Sequence, residues 1–342
     1  MAGGRVGVPL VVPPVGPDIA LPLPTAAQLM VQSQDLDAEA WAVAGSYMSE
    51  AYSVSTIKGL DSGYRAYLFW CHEHNRIAIP ASPSTLVLHY TSRKHLSLQS
   101  MTLSVKAVAL LHRYYGLDSP NNHQAVRALL KKHRKTVPEP TPKTALSYDD
   151  VCEMVRRADA HPHPIKGERD AAVLLVLFAT AGRGAEIAAA SPNHITFFPE
   201  GMTVIIPESK GDQFNEGQTI FVDRTDDPRF CGVSRLEAWL EHNAGPSLFP
   251  QLTKYGKIRP GTALGTTGIR SIVKSYVALI GYDPADYGSH STRSGFITDA
   301  LDLGIKDNLV QQRARHKHLK TTHKYKQTKT ESAPSLMKWF GA

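Results

Sequence analysis

Along residues 35–135 apolar positions recur at helical spacing, with polar breaks only near 79–83 and 116–122. Ile57, Leu60, Tyr64, Tyr67, Leu68 and Trp70 form one such stripe within 53–71, and segments 84–90, 100–115 and 124–135 continue the pattern. Helices with one apolar face must bury those faces against one another, so residues 34–135 are expected to form a small helical bundle. Residues 136–146 then include three prolines, Pro138, Pro140 and Pro142, and lack periodicity, which marks a semi-rigid linker. Ser147-Tyr148-Asp149-Asp150 reads as a capping box, with Asp in place of the usual Glu, and opens a second domain over 147–330. Within it the apolar run 171–181 predicts a buried helix, and segments 204–212 and 217–222 predict two strands around a polar turn. The fold class is therefore mainly α: a helical first domain, then a mostly helical, mixed α/β second domain with one small antiparallel sheet. Residues 1–33, rich in Pro, Gly and Ala, predict a flexible arm, and 331–342 a terminal tail.

A chain of 342 residues is long enough for two cores, and its 42% hydrophobic content is ordinary for a globular protein. The run 171–181 is too short to span a bilayer, and prolines at 9, 13, 14 and 17 interrupt any signal-peptide core, so no membrane association is expected. Cys71, Cys152 and Cys231 are far apart and form no C-x-x-C pair, which suggests neither a disulfide framework nor a zinc site and fits a cytoplasmic setting. His161 with His163, or His316 with His318 and His323, could suggest a metal-binding protein, but no cysteine or acid accompanies them at ligand spacing. No metal or cofactor is expected. The formal net charge of +7 favours a nucleic-acid partner weakly; its placement matters more. Between 306 and 329 there are eight Lys and Arg, at 306, 313, 315, 317, 320, 324, 326 and 329, against one acid, Asp307. A polyanion belongs there.

The same stretch carries candidate chemistry. His290 and Arg293, three residues apart at the start of a predicted helix, share a face and can converge on one phosphate. His316 and Tyr325 are nine apart, on opposite faces of any continuous helix, so they can meet only across a break. Residues 317–320 are expected to supply it, with Thr321 or Thr322 capping a new helix that carries Tyr325. Two histidines, an arginine and a tyrosine in this order suit phosphoryl transfer onto the tyrosine.

The pattern His290-x-x-Arg293, then His316, then Tyr325 resembles the C-terminal signature of the tyrosine site-specific recombinases. Thr180-Ala181-Gly182-Arg183-Gly184-Ala185-Glu186-Ile187 resembles that family's first-arginine box, and the predicted hairpin after it contains one lysine, Lys210. The resemblance implies a site of Arg183, Lys210, His290, Arg293 and His316 around the nucleophile Tyr325, with Glu186 supporting the cations. It implies DNA cleavage and rejoining through a 3′-phosphotyrosyl link, needing neither ATP nor metal. It also implies a tetramer on double-stranded DNA whose C-terminal tail, with Leu336, Met337, Trp339 and Phe340, docks on a neighbouring subunit. The helical domain would be the family's core-binding domain. Lys106, Arg113, Arg127, Lys131, Lys132 and Lys135 from it, with Arg315, Lys317 and Lys320, are the expected DNA contacts. A nucleoid location follows. Two positions depart from the family: Gly182 stands where a large apolar residue is usual, which should loosen packing behind Arg183, and Arg315 replaces a glycine, adding charge beside His316. Rival readings are a DNA-binding regulator that does not cleave and a relaxing, topoisomerase-like enzyme.

Overall fold

The computed structural model describes residues 54–138, 141–206 and 218–325. The chain divides into two compact units between Thr141 and Pro142. The first contains α1 (Val54–Glu73), α2 (Pro83–Ser92), α3 (Leu98–Tyr114) and α4 (Gln124–Thr136). Ser82 and Ser97 cap α2 and α3 through side-chain oxygens that accept from the backbone N–H groups of Thr85 and Ser100, so each helix starts where its sequence offers an N-terminal acceptor. The expected stripe faces inward: Leu60, Tyr64, Tyr67 and Leu68 are buried with Leu86, Tyr90, Leu111 and Val126, while Ile57 and Trp70 pack at the margin. Buried tyrosine hydroxyls find partners, Tyr67 donating to the Ala78 carbonyl at 2.8 Å and Tyr90 to Asn121 Oδ1 at 2.8 Å.

The first helix of the second unit opens on the capping box. Ser147 Oγ accepts from the Asp150 N–H and the Asp150 carboxylate accepts from the Ser147 N–H, opening α5 (Tyr148–Asp159). At its centre is α6 (Pro164–Ala179), packed by α5, α8 (Gly232–His242) and α10 (Ser291–Asp302). Residues 171–177 are buried on every side, which explains an apolar run without alternation. The short α7 (Gly184–Ala188) follows, then a three-stranded antiparallel sheet in the order β1 (Ile195–Phe198), β2 (Gly201–Ile206), β3 (Gln218–Asp223). The sequence reading had two of these strands; β1 is an addition. The chain continues through α9 (Thr266–Leu279), α11 (Asp307–Ala314) and α12 (Leu319–His323). Close approach fixes α10: a Cβ on Gly295 would lie 1.6 Å from the Leu146 carbonyl oxygen. No described helix is long and apolar enough to cross a membrane. Lys210, the N-terminal arm and the tail 331–342 lie outside the described residues.

Candidate active site

The site is built at two helix C-termini. At the end of α6 the N–H of Ala181 bonds the Phe178 carbonyl and that of Gly182 bonds the Leu177 carbonyl, with Ala181 in the left-handed region at φ 44°. At the end of α11 the N–H of Arg315 bonds Gln312 and that of His316 bonds Gln311, with Arg315 at φ 54°. Both ends leave carbonyls pointing outward where the helix dipole is negative, a ready seat for cations.

Arginines fill those seats. Arg293, from the first turn of α10, is fully buried; its Nη1 donates to the Ala181 carbonyl at 2.6 Å and its Nη2 to the Ala314 carbonyl, bridging the two ends. Arg315 donates to the carbonyls of Thr180 at 3.0 Å and Ala181 at 3.3 Å, and to Glu186 Oε2 at 2.7 Å. Arg313 donates to the Ala179 carbonyl at 2.8 Å and to the Phe221 carbonyl on β3. Burial and the neighbouring cations Arg183 and Arg315 push Arg293 down to about 10, so it stays charged at neutral pH.

Arg183 precedes α7, where Glu186 reaches back to it: the carboxylate accepts from the Arg183 N–H at 2.9 Å and from Nη1 at 2.5 Å. Burial acts to raise the Glu186 carboxyl, but Arg315 and Arg183 outweigh it and hold it below the usual range. The Arg183 side chain is 32% exposed, the open fork of the cluster. Gly184 lets the segment before His290 come close to this loop, since a Cβ would meet Ser289 Oγ at 2.7 Å.

His290 stands just before α10, and its Nε2 lies 3.4 Å from the Tyr325 hydroxyl, long for a hydrogen bond but within reach. His316 Nδ1 lies 2.9 Å from Thr322 Oγ1, and its ring stacks on that of Tyr325, centroids 5.8 Å apart and planes 15° from parallel. Tyr325 also packs on a small apolar cluster of Ile297, Ala300, Val310 and Ala314. Desolvation, then Arg293 and Arg183, hold the His290 ring below the ordinary histidine range. The same causes, with His290 and Arg315, push His316 down to about 4. Both rings are thus neutral at pH 7, with lone pairs available.

The structure therefore gathers Arg183, Glu186, His290, Arg293, His316 and Tyr325 in one place, and revises several expectations. The helical break runs through residues 315–318; α12 begins at Leu319 after His318, not at a threonine cap, and ends at His323, so Tyr325 lies just beyond the helix and not on it. Thr322 instead fixes the His316 ring. Arg315, expected on DNA, is turned into the protein, its side chain 2% exposed against Glu186. Packing at Gly182 is tight, not loose: a Cβ would lie 2.7 Å from Thr180 Oγ1 and 3.1 Å from Ile187 Cγ1. Lys106 and Arg113 on α3, Arg127, Lys131, Lys132 and Lys135 on α4, and Lys317 and Lys320 are exposed, as a surface contact requires. The sequence reading counted Arg313 only as one cation of the basic run and missed its backbone partners, and it missed the roles of Ala179, Thr180 and Ala181 as acceptors.

Residues 145–332 match the phage integrase family. The chain is 28% identical over 280 residues to an integrase/recombinase XerD homolog of Selenomonas ruminantium, covering 79% of this chain and 81% of that protein. It is 25% identical over 285 residues to the recombinase Cre of Escherichia phage P1, covering 77% and 81%. In fold it is similar to the XerH site-specific recombinase bound to its difH substrate, with a TM-score of 0.57 at 16% identity over 90% of this chain and 85% of that one. A lambda integrase dimer bound to a core site gives 0.54 at 12% identity, covering 87% and 83%.

Proposed function

The chain belongs to the phage integrase family, the tyrosine site-specific recombinases, and from that premise we propose that it cleaves and rejoins double-stranded DNA at specific sites, with Tyr325 as nucleophile. The observation that carries this reading is the Tyr325 hydroxyl 3.4 Å from a neutral His290 ring, beside the Arg183 and Arg293 guanidiniums.

A phosphodiester resists attack because its non-bridging oxygens carry negative charge that rises as a nucleophile approaches. Arg183 offers an open fork to those oxygens, and Arg293 supplies a permanent charge from within, each Nη keeping a second N–H after its carbonyl bond. The neutral His290 Nε2 takes the phenolic proton as Tyr325 Oη bonds to phosphorus. The bond from phosphorus to the 5′ oxygen breaks, and that oxygen leaves as a hydroxyl after protonation, for which Lys210 is the proposed acid. The product is a 3′-phosphotyrosyl link that conserves the phosphoester, so the free 5′ hydroxyl of a second strand can reverse the step without ATP. The helical unit is the proposed core-binding domain, with the exposed cations of α3 and α4 on phosphates. Exchange by a tetramer on paired half-sites, joined through the tail 331–342, completes the reading.

The test is to denature cells expressing the protein in SDS without crosslinker, recover protein-bound DNA and sequence it, comparing wild type with Tyr325→Phe. Adducts that vanish in the variant and map to an inverted repeat establish nucleophile and target together. If both proteins bind DNA natively and neither retains it after SDS, the chain is a binding protein that does not cleave.

A further inference from the structure

Arg315 occupies a position that works against an ordinary side chain. Its backbone is left-handed, φ 54° and ψ 46°, yet it is not glycine. Its guanidinium is almost wholly withdrawn from water, and its Nε has no partner among the described residues. Both features oppose retaining arginine there unless the other contacts matter.

Those contacts converge on one carboxylate. Glu186 Oε1 holds Arg183 Nη1 at 2.5 Å, while Oε2 holds both the Arg183 N–H at 2.9 Å and Arg315 Nη2 at 2.7 Å. Glu186 therefore joins the loop that presents the open arginine to the residue directly before His316. Arg315 Nη1 also reaches the Thr180 carbonyl, three residues before Arg183. We infer that Arg315 is a positioning residue: its buried guanidinium locks the Arg183 loop, through Glu186, to the segment carrying His316 and Tyr325, so that cation and nucleophile keep a fixed spacing. This rests on the proposed function and adds to it a residue whose own atoms do not touch the phosphate. The charges around His316 are Arg293, Arg183, His290 and Arg315, so removing one of them also lets the His316 ring protonate more readily.

The experiment compares full-length wild type, Arg315→Gly, which relieves the backbone while deleting the guanidinium, and Arg315→Lys, which keeps the charge. Single-turnover adduct formation is followed on a nicked duplex carrying the site recovered from cells, and His316 titration is followed by NMR without DNA. The expected result for Arg315→Gly is DNA affinity within about twofold of wild type and adduct formation slowed about 100-fold, with His316 titrating at higher pH. Arg315→Lys is expected between the two, and serves alone if the glycine variant does not fold. Wild-type rates in both variants overturn the inference, as does a slowed rate with an unmoved His316, which would leave Arg315 a purely structural role. Should wild type form no adduct, the functional reading has failed and the inference, which rests on it, falls with it.

Discussion

Six described helices end with the same pair of backbone hydrogen bonds, but with different residues in the left-handed position. Four ends, at Asn75, Gly116, Gly281 and Gly304, use residues that accept that conformation readily; the other two use Ala181 and Arg315. Those two are the ends bridged by Arg293. A left-handed alanine or arginine costs about 1 kcal/mol relative to the ordinary helical region. Where a helix merely stops, the sequence avoids that cost; where carbonyls seat the site's arginines, it accepts it. The difference separates closure that serves the fold from closure that serves the reactive groups.

The sharpest way to break this distinction is to remove the cation that joins the two ends. Arg293→Ala strips the Ala314 carbonyl of its buried donor, leaves the Ala181 carbonyl only the longer bond from Arg315, and removes a charge from the site. Adduct formation should fall about 1,000-fold or more, with a stability loss of about 3 kcal/mol by denaturant unfolding. A variant that loses stability but cleaves at the wild-type rate would show Arg293 to be only a brace between helices.

Titration probes the same cations through the histidines they depress. If His290 accepts the Tyr325 proton, adduct formation should be flat from pH 8 down to about 6.5 and fall only below it, by up to about tenfold per pH unit. A decline beginning above pH 7 would mean that the arginines do not hold the ring neutral. Stability follows the same sign. His290 and His316 in the site, and His89, buried and pushed down to about 3, bind protons less readily when folded than when unfolded. The unfolded chain takes up more protons below its ordinary histidine value, so stability is complete above about pH 6.5 and declines as pH falls beneath it.

How much of this was legible in the sequence depends on whether a signal was local. The stripe at Leu60, Tyr64 and Tyr67 and the box at Ser147 and Asp150 specify their own environment and are found as read, and the unalternating run 171–181 is a buried helix as far as Ala179, where the helix ends. Order and charge type located Arg183, His290, Arg293, His316 and Tyr325 by resemblance, and the structure brings them together. Burial was not legible. Arg315 sits in a run of cations that also holds exposed members, Lys317 and Lys320 among them, and nothing adjacent in sequence distinguishes it. Its partner Glu186 lies more than a hundred positions away. The helix ends were obscured for a related reason: the usual stop signal is glycine, and at Ala181 and Arg315 a tertiary demand had displaced it.

The smallest expected effect tests the comparison most directly, by exchanging residues between the two kinds of end. Gly281, at φ 90°, has open space where a Cβ would go, so Gly281→Ala should cost only the conformational penalty, about 1 kcal/mol, with adduct formation unchanged. Ala181→Gly relieves that penalty, while the added freedom of the unfolded glycine offsets part of it, so stability should change by less than about 1 kcal/mol in either direction. The two substitutions should diverge in the single-turnover rate. Ala181 carries the carbonyl that receives both Arg293 and Arg315, and loosening that peptide should slow adduct formation several-fold although the fold is no less stable. Equal rates for both variants would mean that left-handed closure at the site is incidental, since the carbonyl would be held in place by its arginines whatever residue bears it.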